Sequence, residues 1–231
     1  MTSAAHGTAR PFDAVLCDLD NVIRFYDSSR LTGLERAAGV PEGTTAAVAF
    51  HPDQGRPLIL GQVTKEQWAE GVAGRLTDDV ALPAQQAREL AGALARSPFE
   101  ADQTVVSALR GVRSAGLPLV LVTNAALDLD QDLAAMGLTD LADHVVNSAV
   151  EGVAKPEAEI YAIAAGRAGV APGRCLFVDD TPENVEAAVA LGMTGVHYRG
   201  HADLHAALAA LRNQGGTSQR CPQGCGVDLI S

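Results

Sequence analysis

Three short apolar runs along the chain share one pattern, in which four hydrophobic positions are followed at once by polar residues. They are residues 14–17 before Asp18, residues 119–122 before Thr123 and Asn124, and residues 175–178 before Asp179 and Asp180. Such runs are typical of strands that are buried on both faces of a parallel sheet. Weaker runs at 144–146 and 195–198 predict two further strands.

Helical patterns alternate with these runs from about residue 117 to residue 212. The predicted helices cover residues 127–136, 156–168, 182–191 and 202–211. Two of them begin with proline and are followed by glycine, which is the usual asymmetry of helix ends. The alternation of strand and helix predicts an α/β fold of the Rossmann-like kind, with a parallel sheet and helices on both of its faces.

The first strand does not follow this rhythm, because the next convincing strand begins about 100 residues later. A parallel crossover needs only a dozen or so residues, and a helix over 102–115 supplies it. The surplus predicts an inserted helical domain over residues 24–100. The core is then predicted to comprise residues 11–23 and 101–212, and residues 213–231 are predicted to form a flexible tail.

The predicted insert contains three helical patterns, over residues 31–38, 64–76 and 83–96. The second starts with Thr64 and Gln67, the spacing of a capping box. Residues 51–61 carry two prolines and two glycines, a composition that predicts a loop. We expect substrate choice to depend on residues 43–66, and Trp68 to belong to the core of the insert rather than to a substrate platform.

Composition narrows the function classes. The chain has 231 residues, 47% of them hydrophobic, and 17 Lys and Arg against 28 Asp and Glu give a formal net charge of −11. These values fit a globular protein and exclude wholesale disorder. The acidic excess argues against non-specific binding to nucleic acid. No apolar run approaches the roughly 18 residues of a membrane span. The chain starts without the pattern of a secretion signal, so we expect a cytoplasmic protein.

The polar residues at the strand ends carry the candidate chemistry. In an open α/β sheet, ligands bind outside the carboxyl ends of the strands. Four carboxylates in one crevice repel each other unless a cation lies among them, and oxygen ligands favour Mg²⁺. The carboxylates are Asp18, Asp20, Asp179 and Asp180. Lys155, one of two lysines in the chain, is a candidate partner for them.

Four segments resemble, in the same order, the motifs of the haloacid dehalogenase superfamily. They are Asp18-Leu19-Asp20-Asn21-Val22, then Thr123-Asn124, then Lys155-Pro156 preceded by Ser148 and Gly152, and then residues 177–185 with Ala187, Ala188, Gly192 and Met193. The resemblance is greatest to members with a helical cap between the first two motifs. These include the phosphatase domain of soluble epoxide hydrolase and bacterial sugar-phosphate phosphatases.

This resemblance implies a Mg²⁺-dependent phosphatase that forms an aspartyl-phosphate. Asp18 would be the nucleophile and Asp20 the general acid and base. The ion would be held by the Asp18 carboxylate, the Asp20 backbone carbonyl and Asp180, with Asp179 beside it. Asn21 stands where many members have glycine, and asparagine tolerates a left-handed backbone.

The same resemblance assigns the phosphate-binding residues and the partner. Thr123 and Lys155 would hold the phosphoryl oxygens, and Asn124 would line the same pocket. The partner is then a small phosphorylated metabolite, with neither nucleic acid nor membrane involved. The sequence makes no prediction of oligomeric state.

Other functions stay open at this point. A phosphomutase of the β-phosphoglucomutase type would use the same four motifs, and a non-catalytic relative would bind a partner through the tail. A dehalogenase is opposed by Asp20 and by the acidic pair, which the dehalogenases of the superfamily lack. His201, His205, Cys221 and Cys225 offer the ligand types of a zinc site, although the histidines also fit a solvated helix surface.

Overall fold

The computed structural model of the chain describes residues 10–212. The strands are β1 (Ala14–Cys17), β2 (Arg24–Tyr26), β3 (Phe99–Ala101), β4 (Leu119–Thr123), β5 (His144–Asn147), β6 (Cys175–Asp179) and β7 (Thr194–His197). The helices are α1 (Ser29–Ala37), α2 (Thr44–Ala49), α3 (Pro52–Ile59), α4 (Lys65–Asp78), α5 (Ala84–Ala95), α6 (Gln103–Ser114), α7 (Leu129–Ala135), α8 (Ser148–Glu151), α9 (Ala158–Ala168), α10 (Pro182–Ala190) and α11 (His201–Arg212).

Five strands form one parallel sheet in the order β5-β4-β1-β6-β7. The first strand lies in the centre, where Val15 is opposite Leu119 on one side and Leu176 on the other. The strand order reverses beside β1, because the chain continues to β4 on one flank and to β6 on the other. Ligands of open α/β sheets bind at such a point.

Both faces of the sheet are covered by helices. Val15 and Cys17 face one apolar cluster, which includes residues of α6, α7 and α11. Ala14 and Leu16 face a second cluster, which includes residues of α9 and α10. Because alternate residues of a strand point to opposite faces, a strand between two apolar layers is hydrophobic at every position. The predicted Rossmann-like α/β fold is confirmed.

The helices between residues 29 and 95, called the insert below, pack around an apolar cluster of their own. Trp68, Leu76 and Leu90 lie in this cluster. Thr64 accepts a hydrogen bond from the Gln67 N–H, and the Gln67 side chain accepts one from the Thr64 N–H. The predicted capping box therefore exists, and Trp68 is buried, with its indole N–H donating to the Ala49 carbonyl.

The two chain segments that connect the insert to the core form a separate antiparallel ladder of β2 and β3. In it Arg24 is opposite Ala101, and Tyr26 is opposite Phe99. One further bond runs from the N–H of Asp27 to the Pro98 carbonyl at 2.8 Å. The two chain segments that enter and leave the insert therefore run side by side.

The prediction of a loop over residues 51–61 is wrong, since α3 occupies most of this range and α2 directly precedes it. Pro52 stands at the start of α3, where the missing N–H costs no helical hydrogen bond. Gly55 packs closely against Phe50, since an added Cβ would lie 3.3 Å from the Phe50 Cα. Pro52 therefore begins a short helix, and Gly55 allows a close contact with Phe50, so neither residue marks a loop.

Two helices of the core are shorter than their sequence patterns. The pattern over 127–136 corresponds to Leu129–Ala135, and the pattern over 156–168 corresponds to Ala158–Ala168. In the second case Glu157 is extended, with ψ at 133°, so the helix begins after it rather than at Pro156.

Within residues 10–212, no helix has the length and apolar character needed to cross a membrane. The predicted tail lies outside the described residues.

Candidate active site

The candidate site lies at the carboxyl end of the three central strands. Asp18 follows β1, Thr123 ends β4 and Asp179 ends β6. Because β1 lies between the other two strands, their carboxyl ends converge on Asp18. All three side chains are buried, and Asp18 is only 5% exposed.

Lys155 joins two of these carboxylates across the sheet. Its Nζ lies 2.7 Å from the Asp18 Oδ1 and 2.7 Å from the Asp179 Oδ2. Asp179 also accepts hydrogen bonds from the Thr181 N–H and the Asn184 side-chain amide. The Asp179 carboxylate is therefore held by hydrogen bonds from three groups, and it in turn holds the Lys155 ammonium beside Asp18.

The charges in this buried cluster do not balance. Burial raises the pKa of the Asp18 carboxyl to about 7; the Lys155 ammonium opposes the rise, and the Asp179 carboxylate adds to it. For Lys155, burial favours a lower pKa, but the carboxylates of Asp18 and Asp179 raise its pKa above the usual value. Two carboxylates share one ammonium group, so the cluster favours an added proton or cation.

The residues present fit a divalent cation. One carboxylate oxygen each from Asp18, Asp179 and Asp180 lie within 4.8 Å of one another. Asn21 has a left-handed backbone, with φ at 58°, as its residue type allows. Its side-chain amide donates to the Asp180 Oδ2 at 3.0 Å, which ties the loop after β1 to this carboxylate. Hard oxygen ligands with excess negative charge suit Mg²⁺.

Two groups from the second predicted motif differ in what they contact. The Thr123 hydroxyl is buried and has no hydrogen-bond partner among the described residues. The Asn124 side chain, in contrast, is bonded to the Lys155 backbone at both ends, with the amide donating to the carbonyl and the Oδ1 accepting from the N–H. Thr123 therefore has a free polar atom at the site, whereas Asn124 holds Lys155 in place.

The Asp20 carboxylate forms an ion pair with Arg24 that sequence reasoning missed. The Arg24 guanidinium contacts the Asp20 Oδ1 at 2.6 Å and Oδ2 at 3.0 Å, and it contacts the Asp132 Oδ2 at 2.7 Å. Burial favours a lower pKa for Arg24, but hydrogen bonds to Asp20 and the charge of Asp20 raise that pKa above its usual value. The sequence signal for this ion pair was an arginine four residues after Asp20, in an otherwise mainly apolar stretch.

Of the four residues of the hypothetical zinc site, the structure describes only the two histidines. His201 and His205 are exposed on α11, and the His201 Nε2 lies 2.6 Å from the Asp102 Oδ2. This contact attaches α11 to the start of α6. Cys221 and Cys225 lie outside the described residues.

Four of the five sheet strands, the insert and the carboxylate cluster lie within a match to one protein family. A model of the haloacid dehalogenase-like hydrolases matches residues 12–192. The chain belongs to this family of hydrolases, as the four motifs indicated.

The chain is similar in sequence to several curated proteins, over different shares of their lengths. Acyl-CoA dehydrogenase family member 10 of Mus musculus is 26% identical over 193 residues, which is 81% of this chain and 18% of that protein. Sesquiterpene phosphatase astK of Aspergillus oryzae is 35% identical over 97 residues, 42% of this chain and 50% of that protein. The chain thus matches half or less of the length of these two. Phosphatase MT3486 of Mycobacterium tuberculosis is 27% identical over 201 residues, 78% of this chain and 84% of that protein.

Solved structures show the same fold. A family hydrolase from Deinococcus radiodurans with bound phosphate and sodium superposes with a TM-score of 0.58 at 28% identity, over 90% of each chain. The L-2-haloacid dehalogenase RSc1362 superposes with a TM-score of 0.63 at 20% identity, over 87% of this chain and 99% of that chain. The second likeness concerns the fold alone.

Proposed function

We propose that this protein is a Mg²⁺-dependent phosphatase of a small phosphorylated metabolite, which acts through an aspartyl-phosphate. The observation that carries the proposal is the buried cluster in which Lys155 bridges Asp18 and Asp179 at 2.7 Å, with Asp180 alongside. Relatives that are named phosphatases, and a 28% identical hydrolase solved with phosphate, support it.

Asp18 and Asp20 divide the chemistry between them. A carboxylate oxygen of Asp18 attacks phosphorus while the ester oxygen leaves, and Asp20 gives that oxygen a proton. Water then attacks the phosphorus of the aspartyl-phosphate, Asp20 takes a proton from it, and inorganic phosphate and the Asp18 carboxylate are released. Asp20 lies at the edge of the open cavity described below, where an ester oxygen and a water molecule have access.

The phosphoryl group is held by neighbouring polar groups. The unpartnered hydroxyl of Thr123 and the ammonium of Lys155 bind phosphoryl oxygens, which gain negative charge during transfer. Asn124 positions Lys155 through its two backbone bonds rather than contacting phosphate itself.

Mg²⁺ would be held by the carboxylates of Asp18 and Asp180 and by the Asp20 backbone carbonyl, with Asp179 beside it. When bound, the ion neutralises charge on the phosphoryl oxygens and keeps the Asp18 carboxylate ionised. The insert, together with β2 and β3, would act as a cap that covers the site. This cap would comprise residues 24–100, the range predicted from the sequence.

Release of inorganic phosphate tests the proposal. Purified protein should release phosphate from a panel of phosphomonoesters when Mg²⁺ is present and should stop when EDTA is added. Release of chloride from 2-chloropropionate, measured in parallel, should be absent. Transfer of phosphate between two positions of a sugar, without release, would instead identify a phosphomutase. Chloride release without phosphate release would identify a dehalogenase.

We expect Asp180→Asn to lower the affinity for Mg²⁺ by about 10- to 100-fold, because one charged ligand becomes neutral. The measurement is the Mg²⁺ concentration that raises the melting temperature of the protein by half of its maximum shift, so no turnover is needed. Glu183→Gln, an exposed carboxylate in the first turn of α10, is the matched control and should leave this concentration unchanged. Equal Mg²⁺ midpoints for Asp180→Asn and the wild type would remove Asp180 from the site.

We expect Arg24→Met to lower kcat by about 100-fold, because the Asp20 carboxylate loses the two bonds that orient it. Arg24→Lys keeps the charge but loses the two-pronged contact, so its kcat should fall between those of Arg24→Met and the wild type. Arg36→Met, on the exposed surface of the insert, is the control. Unchanged kcat in Arg24→Met, with the protein folded, would show that Arg24 only stabilises the fold.

A further inference from the structure

A cavity of about 560 Å³ lies between the insert and the carboxyl end of the sheet. It meets the candidate site at Asp20 and Asn124. Asp20 is the proposed proton donor to the leaving oxygen, so the cavity lies on the side where the alcohol part of a phosphomonoester would extend. Its volume is within the usual range of small-molecule sites.

The cavity walls are mainly apolar, with side chains from the insert, from β3 and from the core. They include Leu31, Phe50, Leu58, Trp68, Leu94 and Phe99. A sugar or other polyhydroxylated alcohol in this space would lose its hydrogen bonds to water and find few replacements, which disfavours binding.

Most charged side chains along the cavity are already paired with each other. Arg24 is bonded to Asp20 and Asp132, and the Lys65 Nζ lies 2.6 Å from the Asp128 Oδ2. These groups are therefore compensated without a ligand. Arg96 is the remaining charged residue of the lining, and it is exposed.

Two aromatic side chains of the lining are unusually open to solvent. Phe50 is 63% exposed and Tyr26 is 46% exposed, although both carry large aromatic rings. Phe50 stacks at an angle on Trp68, with ring centroids 5.9 Å apart, so its ring extends the buried cluster of the insert to the cavity surface. An apolar ligand in the cavity would cover this surface and gain the free energy of removing it from water.

We propose that the substrate is a phosphomonoester of a bulky, predominantly apolar alcohol, whose hydrocarbon part fills this cavity while the phosphoryl group lies at Asp18. The assignment rests on the proposed function, because it takes the phosphoryl site from it. It adds that specificity comes from apolar contacts with the insert rather than from hydrogen bonds to hydroxyl groups.

A series of straight-chain alkyl phosphates, from ethyl to octyl, tests the assignment. The value of kcat/KM should rise by about fourfold for each added methylene group until the chain fills the cavity. Glycerol phosphate and glucose 6-phosphate should be poorer substrates than the alkyl ester of similar size. A kcat/KM that is independent of chain length, or that favours the polyhydroxylated esters, would overturn the assignment.

A pair of adjacent alanines in α2 provides a matched test of the cavity. Ala46 lines the cavity, whereas Ala47 is exposed and is not part of the lining. Ala46→Phe should shorten the optimal alkyl chain and lower kcat/KM for octyl phosphate by about tenfold or more, with little change for ethyl phosphate. Ala47→Phe should behave as the wild type. Equal chain-length profiles for the two variants would contradict the proposal.

Binding of non-hydrolysable alkylphosphonates separates the two proposals. If esters are hydrolysed without regard to chain length, the phosphatase stands and the apolar site fails. If no ester is hydrolysed but calorimetry shows that phosphonate affinity rises with chain length, the apolar site stands and the phosphatase fails. If phosphonates also bind without dependence on chain length, or not at all, the apolar site is overturned in the absence of turnover as well.

Discussion

Replacement of Asp18 by Asn should lower phosphate release by at least about four orders of magnitude. The amide cannot form the covalent intermediate, and the residues around it provide positioning without a nucleophile. Initial rates of phosphate release under saturating Mg²⁺ give the measurement. Asp13→Asn is the matched control, because Asp13 lies at the other end of the same strand, is exposed and pairs with Arg174. Its rate should equal that of the wild type.

The Asp18→Asn variant should also remain folded, which separates lost chemistry from lost structure. A carboxyl whose pKa rises on folding stabilises the protein below its unfolded pKa and loses that stabilisation as pH rises through its folded pKa. For Asp18 the ordinary value is 3.8 and the folded value is about 7. Without Mg²⁺, the free energy of unfolding of the wild type should fall as pH rises across this window. In Asp18→Asn the part of this fall that comes from Asp18 should be absent. Turnover that survives in Asp18→Asn would contradict the nucleophile assignment.

Replacement of Lys155 by Met should both abolish turnover and destabilise the protein by about 3–5 kcal/mol at pH 8 in EDTA. The variant leaves the buried carboxylates of Asp18 and Asp179 without their shared cation, which is the costly way to break a buried ion pair. Urea unfolding at several pH values measures the loss. The difference from the wild type should be smallest at low pH, where Asp18 carries a proton, and should grow as pH rises through the Asp18 pKa of about 7.

The second lysine of the chain provides the control for stability. Lys65 forms an ion pair with Asp128 at 2.6 Å, but both side chains are about one-third exposed. Lys65→Met should therefore cost less than about 1 kcal/mol, as partly exposed pairs do. Similar losses in Lys65→Met and Lys155→Met, without a difference in their pH dependence, would contradict the charge imbalance inferred for the Asp18 cluster.

The sheet could be predicted because its central strands are apolar at every position. That pattern arises only where both faces are covered, and each run ends in the polar residues that face a ligand. The strands β2 and β3 escaped prediction because each has three residues, and Phe25 and Tyr26 are exposed. The helices α2 and α3 were not predicted, because the composition of this region suggested a loop. In the structure, Pro52 begins α3 and Gly55 allows a close contact with Phe50.

Within the candidate site, the fold class was enough to gather Asp18, Thr123 and Asp179, because each lies at or just beyond the end of a strand. Lys155 lies in the loop between α8 and α9, and it was singled out by the rarity of lysine and by the motif resemblance. The pairing of Arg24 with Asp132 joins residues 108 positions apart, on elements whose packing is not encoded in any local pattern. The cavity was likewise hidden, because its walls come from several separate helices of the insert and from the core.

The antiparallel ladder of β2 and β3 has a consequence for how such a chain could be assembled. In topological terms, β1 and α6 are joined by a β-hairpin whose loop has been replaced by five helices. None of the register pairs of the parallel sheet involves residues 29–95. The entropy of closing a loop grows only slowly with its length, and here the hairpin strands already hold the ends together. The insert is therefore a module that could be lengthened, shortened or exchanged while the sheet and its carboxylates keep their register.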